Sequence, residues 1–249
     1  MNKNLEWIRN DFRWLWLGVA IAWLLLINTG HSHAHAHSHL MPMTLLHEWG
    51  SWEIMIIAMM LPSTLPMLTA FLPLAQSQAE AGRAQLAFLL AYLVLWSMFS
   101  TAIVVGAIAL RPTLNLFTPW LTALTLIGVG VFQFSPMKQR CLSGCRSATL
   151  LIAQQYQPGW KGGWNLGIQH GLFCLGCCWA LMTLMLISGM SNLLIMLGLT
   201  AIMTLERLWQ HGKALSLTVG AVLIAGGLAL LMINALEIAA PPVLPLPFR

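Results

Sequence analysis

The sequence predicts an all-α membrane protein, a bundle of about seven transmembrane helices with its N-terminus inside and its C-terminus outside. Apolar residues make up 58% of the chain, charged residues make up only 8%, and the mean hydropathy is +0.76. Too few polar side chains are present to coat a soluble globule. The chain also divides into apolar stretches of roughly the 20 residues that a helix needs to cross a bilayer.

Short polar or proline-bearing connections separate the predicted spans, which take up most of the 249 residues. The spans cover residues 13–30, 49–74, 85–110, 117–134, 164–188, 191–208 and 215–236. We therefore expect residues 1–249 to form a single integral membrane domain. Its longer connections are a His-rich outer loop at 31–48 and a cytoplasmic loop at 135–162.

The orientation follows from Lys and Arg, which are retained on the cytoplasmic side of short loops. With the N-terminus inside, ten of the twelve basic residues lie inside, and only Arg111 and Arg249 lie outside. Topology thereby accounts for the net charge of +5, and no nucleic-acid partner is expected. We expect a multi-pass protein in the lipid bilayer of a bacterial inner (plasma) membrane.

The fifth predicted span carries the residues most typical of a metal site. Cys174, Cys177 and Cys178 follow His170 by one to two turns, and Met182 comes one turn later. Residues three and four apart share a helix face, so these side chains form one stripe of soft ligands. Cys174 lies about eleven residues from the inner edge, at roughly 1.5 Å each, which places it near the midplane. A polar cluster at that depth indicates a functional site, whereas cysteines that only fill a helix interface are the alternative.

The second predicted span supplies partner ligands. Pro62 and Pro66 interrupt its helix, and backbone freed at membrane depth is tolerated only where it is buried in protein or lines a cavity. Met59 and Met60 lie about ten residues from the outer edge, or roughly 15 Å, which is about the depth of Cys174. Their sulfur atoms are therefore expected to meet the cysteines, although methionine also fills gaps in apolar cores.

Residues nearer the outer face are predicted to capture the ion and admit it. Glu53 and Met55 precede Met59, and an acid at this depth usually faces an interior or a cavity, with a capping carboxylate as the alternative. The outer loop alternates histidines along one side of an extended chain, and neutral imidazole binds first-row metals. The capture residues are His31, His33, His35, His37, His39, His47 and Glu48. A spacer with incidental histidines is the other interpretation.

Cys141 and Cys145 lie in the predicted cytoplasmic loop between Lys138 and Arg146. Nearby cations favour the thiolate, but two ligands are fewer than the four that a zinc site normally uses. We predict a pair that receives the ion at the inner face, and an incidental pair is the alternative. All five cysteines map to this loop or to the membrane, so a disulfide framework is not expected.

Two further features concern helix contacts. Gly163, Gly167 and Gly171 form a small-residue ridge, which predicts the close approach of another helix. Glu206 and Arg207 are neighbours at the inner end of the sixth span. We interpret them as an interfacial ion pair, with a proton relay as the alternative.

These motifs resemble those of a bacterial family of predicted metal-binding integral membrane proteins, some of whose members have copper-related names. The resemblance covers roughly residues 49–210. It rests on Ala58-Met59-Met60-Leu61-Pro62, on Lys138 with Cys141 and Cys145, and most specifically on Cys174-Leu-Gly-Cys177-Cys178-Trp179-Ala180-Leu181-Met182. The resemblance implies a metal site at the three cysteines of the fifth span, and it leaves transport and chaperoning both open.

Thiolate and thioether ligands in a dry environment select soft ions, which predicts copper as Cu(I) first and zinc second. We predict a non-enzymatic protein that handles this metal in uptake, transfer or chaperone delivery. Its expected partner is a membrane cuproenzyme or a periplasmic metal-binding protein, and a homo-oligomer is a candidate assembly. The alternatives are a membrane thiol-disulfide oxidoreductase, although the predicted outer loops contain no cysteine, and a structural subunit of a membrane complex.

Overall fold

The computed structural model is all helical in the residues that it describes, which are 3–32, 41–74, 78–110, 119–155, 157–188 and 192–239. Ten α-helices lie within these ranges. They are α1 (Lys3–Ser32), α2 (Met41–Met60), α3 (Leu65–Phe71), α4 (Gln78–Leu110), α5 (Pro119–Gln133), α6 (Pro136–Arg146), α7 (Ala148–Gln155), α8 (Gly159–Ser188), α9 (Leu193–Leu208) and α10 (Gly212–Ala239).

Several of these helices are long and apolar enough to cross a membrane. Four segments of the described chain meet this requirement, namely Trp49–Leu74, Ala79–Gly106, Gly159–Met185 and Gly212–Leu236. A fifth candidate is the pair of α5 and α6, which is bent by 61°. Helices also occupy two other predicted spans, where Arg13–Asn28 is apolar but short and α9 has 16 residues. The described helices therefore indicate a multi-pass membrane protein with four to five candidate spans.

Two stretches that the sequence analysis treats as loops contain helix. α2 begins at Met41, so residues 41–48 of the predicted outer loop are helical, and Pro42 is compatible with a first helical turn. The predicted cytoplasmic loop at 135–162 contains α6, α7 and the start of α8. Lys138 is 0% exposed, so this stretch is part of the folded core.

The second predicted span is broken where its prolines indicate. α2 ends at Met60, and a 3-10 turn at Leu61–Thr64 leads into α3. Ser63 Oγ donates to the carbonyl oxygen of Met60 at 2.6 Å, and Thr64 Oγ1 donates to that of Leu61 at 2.8 Å. Buried hydroxyl groups thus satisfy carbonyl groups beside the break, which is required where water is scarce.

The predicted glycine ridge is confirmed in the contact between α4 and α8. A Cβ atom at Gly163 would lie 2.1 Å from the carbonyl oxygen of Ala84, and one at Gly167 would lie 2.4 Å from that of Phe88. Only glycine permits the two backbones to lie this close. The contact places the next turns of α8, which carry the cysteines, beside Tyr92 of α4.

A buried cluster that we call the sulfur cluster surrounds these turns. Four cysteines and seven methionines belong to it, together with apolar residues from α2, α4, α8 and α9. Its members with sulfur are Cys145, Cys174, Cys177, Cys178, Met55, Met59, Met60, Met182, Met185, Met196 and Met203.

Candidate metal site

The predicted ligand stripe of α8 faces the interior of the bundle. Its residues are at most 2% exposed, whereas Leu172 and Trp179 on the other side of the helix are 52% and 37% exposed. The five buried members are His170, Cys174, Cys177, Cys178 and Met182. The thiols therefore face protein, as a site inside the bundle requires.

The thiol groups contact one another. Cys177 Sγ lies 3.3 Å from Cys178 Sγ, and it donates to the carbonyl oxygen of Cys174 at 3.2 Å. Cys145 of α6 belongs to the same buried cluster, and its thiol interacts electrostatically with those of Cys174 and Cys177. Four thiols from two helices thus lie in one buried cluster.

Glycine on each helix lets α6 lie against α8. A Cβ atom at Gly176 would lie 2.5 Å from Cys141 Sγ, and one at Gly144 would lie 2.7 Å from the ring of Phe173. Cys141 is half-buried, and all five cysteines are free thiols. The pair predicted as a separate inner site is therefore continuous with the thiols of α8, because its segment folds as a packed helix.

Tyr92 connects α2, α4 and α8 at the level of the thiols. Its hydroxyl group shares a hydrogen bond of 2.9 Å with Cys174 Sγ and donates to the carbonyl oxygen of Met60 at 3.4 Å. The imidazole of His170 packs against the rings of Tyr92 and Phe88, with centroid distances of 6.0 and 5.8 Å. Its Nε2 atom has no hydrogen-bond partner among the described residues, so it is free to accept a ligand.

Arg207 of α9 enters the sulfur cluster, although its place in the sequence does not mark it as a site residue. Its Nη2 atom donates to Cys178 Sγ at 2.6 Å and lies 3.6 Å from Met60 Sδ. The sulfur atoms of Met60 and Cys178 therefore flank one nitrogen atom. Their similar depth predicts Met59 or Met60 beside the cysteines, and Met60 lies there.

The interpretation of Glu206 and Arg207 as an ion pair is wrong. Glu206 Oε2 accepts from Lys138 Nζ of α6 at 2.8 Å, and both of these side chains are at most 1% exposed. Consecutive residues of a helix do not face each other, so Glu206 reaches α6 while Arg207 reaches α8. This rule was the available signal that each charge needs a partner on another helix.

The residues predicted to admit the ion lie on α2, between Trp49 and Met60. Met55 and Met59 are buried in the sulfur cluster. Glu53 is half-buried, and its carboxylate accepts from Ser97 Oγ at 2.7 Å and from Ser100 Oγ at 2.5 Å. The capture histidines at 33, 35, 37 and 39 lie outside the described residues, as do the side chains of His31, His47 and Glu48.

The cluster is rich in soft ligands without forming a preset coordination shell. Among the side chains that the structure describes, no three His, Cys, Asp or Glu groups are placed to hold one metal ion. The thiols instead contact one another, Tyr92 and Arg207. Thiolate and thioether donors are the ligands that select Cu(I), so the chemistry of the donor set fits this ion.

The comparisons with known proteins give one family. A family model described as PpoB2, copper chaperone, matches residues 49–230. This range contains the four buried thiols, Tyr92 and Arg207. Neither the curated proteins nor the solved structures give a match to this chain.

Proposed function

The chain belongs to the PpoB2 copper chaperone family, and on this premise we propose that its sulfur cluster holds one cuprous ion and delivers it to a partner protein. The observation that supports this most strongly is that the thiols of Cys145, Cys174, Cys177 and Cys178 lie together in one buried cluster. Membership of a chaperone family also points to a non-enzymatic role. In this proposal copper is the cargo of the protein.

The methionines favour a route to the thiols from one end of the bundle. Met182 lies one turn beyond Cys178 on α8, Met203 lies one turn before Arg207 on α9, and Met55 precedes Met60 on α2. Trp49 of α2 donates to Thr101 of α4, whereas Met60 lies at the level of Tyr92, so these methionines lie on the Trp49 side of the thiols. Thioethers are neutral, soft ligands that pass Cu(I) along without trapping it as a thiolate would.

The side of the cluster that α6 covers contains the proposed route by which the copper ion leaves. Cys141 touches Gly176 at the level of the buried thiols, and it is the half-buried cysteine of the five. We propose that it exchanges the ion with a thiol or imidazole of the partner. With α6 toward the inner face, the partner at Cys141 is a membrane cuproenzyme, whereas a periplasmic metal-binding protein would exchange copper at the Trp49 end.

The finer topology also belongs to the proposal. Seven spans with the N-terminus inside a bacterial inner membrane would place residues 31–39 outside, at the same end as Trp49 and Glu53. The His-rich segment would then gather copper, Glu53 and Met55 would admit it, and the thiols would hold it. Zinc remains the second metal that such donors accept.

Metal analysis of the full chain in detergent tests this function. After anaerobic loading with Cu(I) and desalting, we expect the wild-type protein to retain about one copper ion per chain, by elemental mass spectrometry. The triple variant Cys174→Ala, Cys177→Ala, Cys178→Ala should lose it. The matched control replaces His31, His33, His35, His37 and His39 with Ser, and it should keep the tightly bound ion. Full copper occupancy in the triple cysteine variant would refute the proposed site.

A further inference from the structure

Arg207 is a buried cation whose surroundings are sulfur atoms. Its side chain is 7% exposed, and its Nη2 atom contacts Cys178 Sγ of α8 and Met60 Sδ of α2. The neighbouring carboxylate of Glu206 is bound to Lys138 instead. The guanidinium group therefore faces the proposed metal ligands.

A guanidinium group in a dry interior is stable only where negative charge compensates it. Two thiolates on a monovalent ion such as Cu⁺ or Ag⁺ carry one net negative charge, which Arg207 balances. Two thiolates on Zn²⁺ give a site with no net charge, which leaves Arg207 uncompensated. Four thiolates on Zn²⁺ give a net charge of −2, of which Arg207 balances only one unit. Charge balance in the loaded cluster thus favours a monovalent ion with two thiolates.

The arrangement of the ligands leads to the same preference. Three thiolates and a neutral fourth ligand on Zn²⁺ would also balance Arg207, but zinc sites are almost always tetrahedral. No three acidic, thiol or imidazole groups of the described chain are placed around one point. Arg207 Nη2 also occupies the space between Cys178 Sγ and Met60 Sδ, which leaves fewer directions open around Cys178.

We propose that Arg207 is the specificity-determining residue of the sulfur cluster, whose fixed charge selects a soft monovalent cation over a divalent one. The inference rests on the proposed function, since it concerns the same thiols. It assigns Arg207 a role in choosing the ion, beyond the role of joining α9 to α2 and α8.

The experiment measures Ag⁺ and Zn²⁺ binding by the full chain in detergent, with Ag⁺ as a redox-inert substitute for Cu⁺. Arg207→Met removes the charge and keeps an apolar side chain of similar length, and Arg207→Lys keeps the charge. We expect Arg207→Met to lower the preference for Ag⁺ over Zn²⁺ by at least about tenfold, because a compensating charge is lost. Arg207→Lys should retain most of the preference.

If Arg207 only packs the helices, Arg207→Met should weaken the binding of Ag⁺ and Zn²⁺ equally and leave the ratio of the two affinities unchanged. An unchanged ratio therefore overturns the inference. If Arg207→Met does not fold, Arg207→Gln takes its place. Loss of the preference for Ag⁺ in a folded Arg207→Lys variant also overturns the inference. A wild-type chain that binds neither Ag⁺ nor Cu⁺ would instead refute the proposed function, so the two failures are distinguishable.

Discussion

The thiols of α8 differ from the nearby thioethers in the charge that they bring to a metal ion. Cys174 and Cys178 become anionic when they bind metal, and metal binding releases their protons, whereas Met59 and Met60 stay neutral. Loss of an anionic ligand in a low-dielectric interior costs more than loss of a neutral one. The two residue types should therefore be separable by substitution.

We predict that Cys174→Ser lowers Cu(I) affinity more than Met60→Leu does. The cysteine change should cost at least the roughly 10–100-fold that loss of an outer-shell partner typically costs. Competition against a chromogenic cuprous chelator measures the affinities. Met59→Leu is the matched control, because Met59 is equally buried but Met60 is the methionine beside Arg207.

An equal loss for Cys174→Ser and Met60→Leu would contradict this assignment of ligand roles. It would indicate that both substitutions act through the packing of the sulfur cluster. The free energy of unfolding of each variant separates the two explanations, since a volume-conserving change such as Met60→Leu usually costs less than about 1.5 kcal/mol.

The residues predicted from sequence are those whose role follows from spacing on one helix. The stripe from His170 to Met182 is buried as its three- and four-residue spacing indicates. Arg207 was not identified, because its partners Cys178 and Met60 are 29 and 147 positions away along the chain. A helical period shows which face a side chain occupies, but it does not show which distant helix meets that face.

At the scale of elements, α6 completes the cluster by lying on α8. Its Ser135 cap accepts from the backbone N–H of Lys138 at 3.1 Å, and Pro136 suits the first position of a helix. The Lys138–Glu206 ion pair attaches α6 to α9. Removing one partner of such a buried pair typically costs about 3–5 kcal/mol, because the other charge is left uncompensated, so Lys138 and Glu206 depend on each other.

We predict that Gly176→Ala moves α6 away from α8 and weakens Cu(I) binding, because the added methyl group would lie 2.5 Å from Cys141 Sγ. Adding a methylene group to a packed core typically costs about 1–3 kcal/mol. The loss should shrink in a Cys141→Ala background, since that change removes the sulfur atom that collides. Thermal unfolding and Cu(I) competition of the wild-type protein, the two single variants and the double variant form the double-mutant cycle.

Gly198→Ala on α9 is the control for this cycle, because a Cβ atom there meets nothing within 4 Å. It should leave stability and Cu(I) affinity close to those of the wild-type protein. Additive effects of Gly176→Ala and Cys141→Ala would contradict the direct contact between α6 and α8.

The element boundaries illustrate the same limit of sequence reasoning. Pro62 and Pro66 correctly indicate the break after α2, because proline acts on its own helix. The stretch at 135–162 looks like a loop because it is polar and charged, yet its Lys138 is buried against Glu206. A charged residue can be expected to be exposed only when no oppositely charged side chain on another helix neutralises it.

At the scale of the whole molecule, the orientation decides which end of the cluster receives copper. In the proposed topology, which the distribution of Lys and Arg favours, the N-terminus is inside. The methionine-lined end at Trp49 would then face outward, and the end that carries α6 would face inward.

We predict that a reporter active only outside the membrane is active when fused after Arg249 and inactive when fused at Lys161. Ten of the twelve basic residues lie inside in this orientation, and reversing it would place ten outside, against the rule that positive loops stay inside. The reversed pattern of reporter activity would contradict the orientation and move the His-rich segment to the inner side.

The central claim is that the buried thiols, rather than the His-rich segment, hold the copper ion, and X-ray absorption at the copper edge tests it most directly. For the full chain loaded with one equivalent of Cu(I), we predict a cuprous edge and a first shell of sulfur atoms. Replacing Cys174, Cys177 and Cys178 with Ala should remove that shell. A first shell of nitrogen atoms in the wild-type protein, unchanged in the cysteine variant, would contradict the account.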